Sequence, residues 1–351
     1  MSLMGLLVQM GMKLGNETWK PWKYESRVDI ANQVDKFKKS LAKQKISEST
    51  RRTKITNFIA QRQSRQEFKP AVGKLIDRAH VDPLHLKNNA CALVHRQLLY
   101  EVIAMSKLSN DIKFFLQVSP NSHFHRYVTA MRKWGLSRLA KRVIKWFDET
   151  KANGKQFEYR FTGKDSRLFL LHFMSLISAV ESRANPGREV TILHVIAYIC
   201  LCLRDCVSLF SRLEITDEQV SELKAICTRY FRANAIFFHV NPTIWTIGHI
   251  VPAHAQDMKS KYGLGLGLNS MEGREAKHVF VPKYSNNTMF YSRWEQIFLH
   301  EFVSLLWLRG KGYNWSNANS SCLSYIPKQV NNSDPAFCNC GLQKGSTDNK
   351  C

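Results

Sequence analysis

Residues 249–275 read HIVPAHAQDMKSKYGLGLGLNSMEGRE, and this stretch gives the most information about fold and chemistry. It begins with His249 and His254, continues through an alternating glycine–leucine run, and ends on Glu272 and Glu275. Two closely spaced neutral imidazoles suit zinc, but a four-coordinate site needs two more ligands. By spacing alone, two unrelated histidines are the better interpretation. The two glutamates, taken alone, are better explained by a helix cap and a solvent-facing side chain.

The chain upstream of this stretch has helical periodicity. Between residues 71 and 240 we expect five or six helices joined by short connections. Thr216 followed by Gln219 predicts a capping box that opens one of them. A further amphipathic helix is predicted over residues 291–308. The expected fold class is therefore mainly α. The other apolar-periodic segments are residues 86–108, 134–147, 168–180 and 190–213.

The segment after residue 240 departs from this pattern. Residues 243–250 are short and β-branched, and residues 263–268 alternate glycine with leucine, so one face of any strand there would be bare backbone. Asn269 is placed to cap the next helix, with Glu272 at its third position. The predicted fold therefore includes one or two short strands besides the helices.

The charge balance predicts a polyanionic partner. Lys and Arg number 51 against 28 Asp and Glu, a formal net charge of +23. Nucleic acid is the most common reason for such a surplus, because each phosphate that a protein neutralises releases condensed counterions. A ribosome-like and a membrane-surface protein are the alternatives. The densest basic cluster has helical spacing, which predicts a DNA-binding face or a solvated one. Its residues are Arg132, Lys133, Arg138, Lys141, Arg142 and Lys145.

The nine cysteines show no disulfide framework, and a chain of 351 residues does not need one. Several lie in apolar runs, where free cysteine behaves as a small hydrophobic residue. In the tail, Cys338, Cys340 and the final Cys351 have the pattern of a zinc knuckle without its last ligand, or of unstructured tail cysteines. The longest apolar run, residues 190–203, is too short to span a bilayer, so no membrane is expected.

The order of these motifs resembles a known family. A His-x4-His pair, a spacer, Glu-Gly-x-Glu opening a helix, and a Trp-containing amphipathic helix are similar to the C-terminal part of the V(D)J recombinase catalytic subunit and of Transib transposases. These are cut-and-paste Asp-Asp-Glu transposases with an RNase H-like core. The resemblance implies that His249 and His254 are zinc ligands. It also implies that Glu275, with Glu272 as the fallback, is the catalytic glutamate that binds Mg²⁺ or Mn²⁺.

A second stretch supports the resemblance. Residues 81–90 read VDPLHLKNNA and are similar to an Asp-x-Leu-His segment near the start of that family's helical insertion domain. The resemblance covers roughly residues 75–310. The organisation that we expect is a basic polar arm (1–70), a helical insertion-like domain (71–240), the C-terminal segment of an RNase H-like core with the histidine pair and the glutamate-bearing helix (241–313), and a flexible cysteine-containing tail (314–351).

Two parts of the family's active site are missing from the pattern. The family's first two catalytic aspartates lie on strands, whereas the candidates here, Asp29, Asp35 and Asp77, have no strand-like context. The Cys-x-x-Cys that completes the zinc site is also absent from the sequence. Because one glutamate cannot hold two Mg²⁺ ions, we expect a fragment or a domesticated remnant that is inactive as an isolated chain.

The resemblance implies a nuclear, transposon-derived protein that binds DNA, with a homodimer as in related transposases and no small-molecule substrate. The main alternative is a non-enzymatic basic helical module that binds nucleic acid as a scaffold or regulator. A third class, a secreted and glycosylated helical protein, is suggested by five Asn-x-Ser/Thr sequons. These begin at Asn16, Asn286, Asn314, Asn319 and Asn331.

Overall fold

The computed structural model describes residues 23–62, 64, 66–150, 156–181, 188–272, 275, 293–312 and 334–338. Within these residues it contains eleven α-helices and no β-strand, which confirms the prediction of a mainly α fold. The chain divides into two compact units, one ending at His80 and the other beginning at Val81. The boundary predicted at residue 70 falls before this division.

The first unit is a helical hairpin. Its elements are helices α1 (Tyr24–Ala42) and α2 (Glu48–Ala60) and a 3-10 turn (Gly73–Arg78). The Ser47 hydroxyl caps α2 by accepting a hydrogen bond from Thr50 N at 3.2 Å. Between the helices, the rings of Phe37 and Phe58 stack with their centroids 4.1 Å apart. The predicted basic arm is therefore helical in its described part and has a small core of its own.

The second unit contains the other helices of the described chain. They are α3 (Pro83–Ser106), α4 (His123–Lys133), α5 (Ser137–Thr150), α6 (Gly163–Ser178), α7 (Arg188–Phe210), α8 (Asp217–Phe237), α9 (Pro242–Trp245), α10 (Val251–Tyr262) and α11 (Arg293–Gly310). Helix α3 is central, since it contacts α4, α6 and α7, and α7 in turn packs on α8. The core therefore lies between α3, α7 and their neighbours.

Helix α7 lies in this core because its sequence is apolar. The window Thr191–Phe210 is long and apolar enough to cross a membrane, with a mean hydropathy of 1.8, but 67% of it is buried inside the protein. Its three cysteines, Cys200, Cys202 and Cys206, are buried, and burial raises the pKa of each thiol. They therefore pack as small neutral side chains, as predicted.

The core also encloses one histidine. His95 on α3 is fully buried, and burial lowers its pKa to about 3 because the charged ring would lose its hydration. Neither ring nitrogen has a hydrogen-bond partner among the described residues. The neutral imidazole therefore packs as one more ring of an aromatic cluster. Its centroid lies 5.5–6.0 Å from those of Tyr127, Phe157, Phe161 and Phe169.

The β-branched segment 243–250 is helical, so the expectation of a short strand there is wrong. Asn241 caps α9 by accepting from two backbone amides at 2.9 and 3.1 Å, and Pro242 occupies the first turn, where its fixed backbone favours a helix. Residues Thr246–Ile250 then form a π turn that runs directly into α10. The start signals of the helix outweigh the modest strand preference of β-branched residues.

The glycine–leucine run is not a strand either. Gly263, with φ of +68°, ends α10. The next two glycines lie against the connection between α7 and α8, where Gly265 N donates to Leu213 O at 2.7 Å and Gly267 N to Arg212 O at 2.9 Å. A Cβ on either glycine would lie 2.4 Å from a backbone oxygen of that connection. The bare backbone face that the alternation predicted therefore permits this close approach.

Helix α11 corresponds to the amphipathic helix predicted over residues 291–308. Ile297 is buried, whereas four apolar side chains at helical spacing are 48–68% exposed. These four side chains, which lie at the surface of the protein, are Trp294, Phe298, Phe302 and Leu305.

We predict that Gly267→Ala lowers the free energy of unfolding by about 1–3 kcal/mol, because the added methyl overpacks a site where backbone meets backbone. Gly310→Ala is the matched control, since a Cβ there meets nothing within 4 Å and alanine favours a helix. Urea unfolding followed by circular dichroism measures both variants. Equal stability of Gly267→Ala and the control would show that the close approach is unimportant.

Candidate functional site at the amino end of helix α3

Asp82 connects two segments that are far apart in the sequence. Its carboxylate caps α3 by accepting from Leu84 N at 3.1 Å and from His85 N at 3.3 Å. It also accepts from Met271 N at 3.0 Å. The unpaired amides and the positive end of the helix dipole favour a carboxylate at this position. The Asp-x-Leu-His stretch and the start of the Glu-Gly-x-Glu stretch are therefore in direct contact.

Asp82 accepts the hydrogen bond from Met271 N, whereas the sequence predicted that Asn269 would cap the helix that begins there. Asn269 ends a 3-10 turn, Leu266–Asn269, and its side-chain amide lies 3.6 Å from Met258 Sδ. Met271 N is bound by Asp82 instead, and Glu275 N donates to Met271 O at 2.9 Å, as in a helical turn. The prediction of an Asn269 cap was wrong because a side chain 189 positions away replaces the local one.

His85 lies between two carboxylates. Its Nδ1 is hydrogen bonded to Asp82 Oδ2, and its Nε2 is 3.5 Å from Glu275 Oε1. The side chain of Glu275 is 48% exposed, and that of His85 is 35% exposed. Asp82 therefore orients the imidazole, and the ring presents its other nitrogen to Glu275, which solvent can reach.

Lys87 is buried in α3 and reaches Glu272. The lysine side chain is 2% exposed, and its Nζ donates to Glu272 Oε1 at 2.9 Å. A buried ammonium group is costly unless it is paired, so Glu272 contributes a counter-charge that stabilises this position. The sequence signal for this pair was a lysine within the apolar-periodic segment 86–108. Nothing local in the sequence identifies the partner of this lysine.

The two histidines of the candidate zinc site face different neighbours. His254 Nδ1 accepts from Val81 N at 3.1 Å, next to Asp82. His249 instead packs edge-on against Phe231 at a centroid distance of 4.6 Å, and its partial burial lowers its pKa. The two rings therefore have different neighbours.

The metal sites that the sequence implies stay predictions. Among the residues that the structure describes, no three His, Cys, Asp or Glu side chains are grouped so that they could hold a metal ion. In the tail, Cys338 is partly buried, whereas Cys340 and Cys351 lie outside the described residues. The zinc site at His249 and His254, the zinc knuckle and the Mg²⁺ or Mn²⁺ site at the glutamates are therefore untested.

The three candidate aspartates belong to the first unit and have structural contacts there. Asp29 and Asp35 each contact the side chain four positions further along α1, at 2.9 and 3.0 Å. Asp77 accepts from Tyr24 N at 2.7 Å. Glu275 belongs to the second unit. These contacts identify none of the three aspartates as a metal ligand.

The predicted basic cluster forms an exposed surface. The opposite side of α5 is buried through Leu139, Val143 and Phe147, which fixes the orientation of the helix. Arg138 Nε donates to Tyr159 OH at 2.6 Å, and its guanidinium group lies 3.3 Å from the carboxylate of Asp165. We refer to the exposed cations of α4 and α5 as the basic face: Arg132, Lys133, Arg138, Lys141, Arg142 and Lys145.

The chain matches no protein-family model, no curated protein and no solved structure. The basic face can bind phosphates. In the second site, which we call the polar cluster, His85 lies between the carboxylates of Asp82 and Glu275. The members of the polar cluster are Asp82, His85, Lys87, Glu272 and Glu275.

We predict that Asp82→Ala lowers the free energy of unfolding by about 1–2 kcal/mol, because α3 loses its cap, and that it speeds hydrogen exchange at the Met271 amide. Asp82→Asn is the matched control, since asparagine caps helices as well as aspartate does. Urea unfolding and hydrogen exchange measure the two effects. Unchanged exchange at Met271 in Asp82→Ala would mean that this hydrogen bond does not hold the segment.

Proposed function

We propose that this chain binds duplex DNA through the basic face and is a transposon-derived protein similar to Asp-Asp-Glu transposases, with an incomplete active site. The observation that carries the DNA binding is the exposure of four cations at i, i+3, i+4 and i+7 on α5: Arg138, Lys141, Arg142 and Lys145. Helices α4 and α5 together carry seven basic and two acidic residues. This excess of positive charge suits a polyphosphate backbone.

The chemistry of the basic face suits phosphate rather than base recognition. Arginine and lysine side chains along one helix position a protein on the duplex without reading its sequence. Lys145 does contact Glu149, at 3.5 Å, but both side chains are more than 60% exposed. Such surface pairs are weak and screened by salt. Glu149 therefore does not cancel the attraction of Lys145 for DNA, whereas Arg138 is already paired with the buried carboxylate of Asp165, 3.3 Å away.

The transposase part of the proposal is supported by a contact between distant segments. Two stretches that each resemble the same family meet through the Asp82–Met271 hydrogen bond and the His85–Glu275 contact. The resemblance assigns the metal-binding role to Glu275, whose side chain is 48% exposed, and Mg²⁺ or Mn²⁺ would bind only with carboxylates from elsewhere. An RNase H-like core, a zinc site at His249 and His254, a nuclear location and a homodimer belong to the same proposal.

A non-enzymatic nucleic-acid-binding scaffold is the second candidate. The Lys87–Glu272 pair favours it, because Glu272 is engaged by a buried lysine and a structural counter-charge is a poor metal ligand. Both candidates require DNA binding by the basic face. They differ in whether the chain derives from a transposase, since neither is expected to retain strand cleavage.

We predict that replacing Lys141, Arg142 and Lys145 together by alanine weakens binding to random-sequence duplex at least tenfold. The slope of log affinity against log salt should fall by about 0.9 for each phosphate that the variant no longer neutralises. Fluorescence anisotropy over a salt series measures both quantities. The control removes three exposed cations from α8, Lys224, Arg229 and Arg232, and should retain most of the affinity. Equally weakened binding in the two variants would reject a localised DNA-binding face.

We predict that the purified chain does not nick supercoiled DNA in the presence of Mg²⁺ or Mn²⁺, because one glutamate cannot hold two metal ions for in-line attack. Agarose gels that separate nicked from supercoiled plasmid provide the measurement. Nicking that is abolished in Glu275→Gln and retained in Glu222→Gln, an exposed glutamate on α8, would contradict the incomplete active site.

A further inference from the structure

The first unit carries a second polar surface, on helix α2. Five residues of this helix line one open depression of about 420 Å³. All five are exposed and none is acidic. They offer one guanidinium group, one carboxamide and the methyl groups of two threonines, whereas their three hydroxyls are already hydrogen bonded within the first unit. We refer to them as the α2 face: Ser49, Arg52, Thr53, Thr56 and Asn57.

The α2 face is displayed by a helix whose other side is anchored. Ile59 is buried, and Phe58 stacks on Phe37 of α1. The guanidinium carbon of Arg62 lies 3.4 Å from the centroid of the Phe58 ring, and Arg62 Nε donates to Gln33 Oε1 at 2.7 Å. The α2 face is therefore carried on a rigid hairpin, and its side chains project from a fixed helix.

The charge around the α2 face is positive. Residues 43–62 contain six basic residues and one acidic residue. That acidic residue, Glu48, is paired with Arg51 at 2.7 Å. Arg52 makes no ion pair or side-chain hydrogen bond with any residue that the structure describes, so its guanidinium donors remain available to a ligand. A polyanion is the partner that complements this surface.

We propose that α2 lies in the major groove of duplex DNA, with Arg52 and Asn57 reading base edges. A helix of 13 residues is about 20 Å long, and the major groove is about 12 Å wide, which admits a helix. Arginine binds the O6 and N7 atoms of guanine in bidentate fashion, asparagine binds the N6 and N7 atoms of adenine, and threonine contacts the methyl group of thymine. The α2 face carries all three side-chain types on one surface.

Binding to phosphate alone and binding to duplex RNA are the alternatives to base recognition in DNA by α2. A surface that only contacts phosphate needs cations, whereas the α2 face has one cation among five residues and the rest are neutral hydrogen-bonding groups. Duplex RNA has a deep and narrow major groove that side chains cannot read, so the α2 face is specific for DNA. The inference extends the proposed DNA binding. It assigns different roles to two surfaces. The basic face provides affinity for any sequence, and the α2 face provides sequence preference.

The test is a selection from a random-sequence duplex library with the full chain at about 0.15 M salt. The wild-type chain enriches one short motif. Arg52→Ala and Asn57→Ala each abolish the preference at one position of it, with discrimination falling about 5- to 150-fold, as expected when one bidentate pair is removed. Both variants still bind random DNA through the basic face. Lys36→Ala, a single exposed charge removed from α1, keeps the motif.

Two further arms separate this inference from the proposed function. Arg52→Lys keeps the charge but not the planar fork of donors, so it should retain total affinity and lose the guanine preference. The triple alanine variant of the basic face should bind every sequence more weakly and still enrich the same motif. Circular dichroism confirms that each variant is folded.

Three outcomes would overturn the inference about α2. These are selection of no motif by the wild-type chain, an unchanged motif in both Arg52→Ala and Asn57→Ala, and equal binding of duplex RNA and duplex DNA through α2. Loss of random-DNA binding in the triple variant with the motif intact would leave both proposals standing. Unchanged random-DNA binding in that variant would reject the basic face alone.

Discussion

Four polar contacts converge on the carboxylate of Asp82: two backbone amides of its own helix, the backbone amide of Met271 and the ring of His85. A helix start needs an acceptor for its unpaired amides, and Asp82 meets that need while it binds a segment from the other end of the unit. The position of the glutamates and the orientation of His85 thus depend on one side chain that is also a helix cap. Asp82 both caps α3 and orients His85, so a substitution there affects the stability of the helix and the geometry of the polar cluster.

Helices with local start signals and continuous apolar periodicity could be predicted from the sequence. The Thr216–Gln219 capping box is present with both of its hydrogen bonds, at 3.1 and 3.3 Å, and it opens α8 as expected. Helix α7 was predicted as a long apolar helix and is the buried helix of the core. In each case the interactions that decide the conformation lie within a few residues of one another, so the sequence contains them.

The features that were not predicted depend on partners far away in the chain. Gly265 and Gly267 are explained by backbone at Arg212 and Leu213, and buried Lys87 by Glu272. The histidine pair stays a prediction of a shared site. Its closeness in sequence does not fix its surroundings, since His254 Nδ1 accepts from Val81 N and His249 packs on Phe231. The helical content was therefore predictable, whereas the assembly of the polar cluster was not.

The Asp82–Met271 contact also has a consequence during synthesis of the chain. The two residues are 189 positions apart, so at typical elongation rates of 5–20 residues per second the amino end of α3 waits about 10 to 40 s for its partner segment. During that interval Lys87 lacks Glu272, whereas the connection between α7 and α8 precedes the glycine run by roughly 50 residues and waits only about 3 to 10 s. The nascent unit therefore has an incompletely satisfied polar end while its hydrophobic core can already form. The segment with Met271 and Glu272 then supplies the missing partners of Asp82 and Lys87.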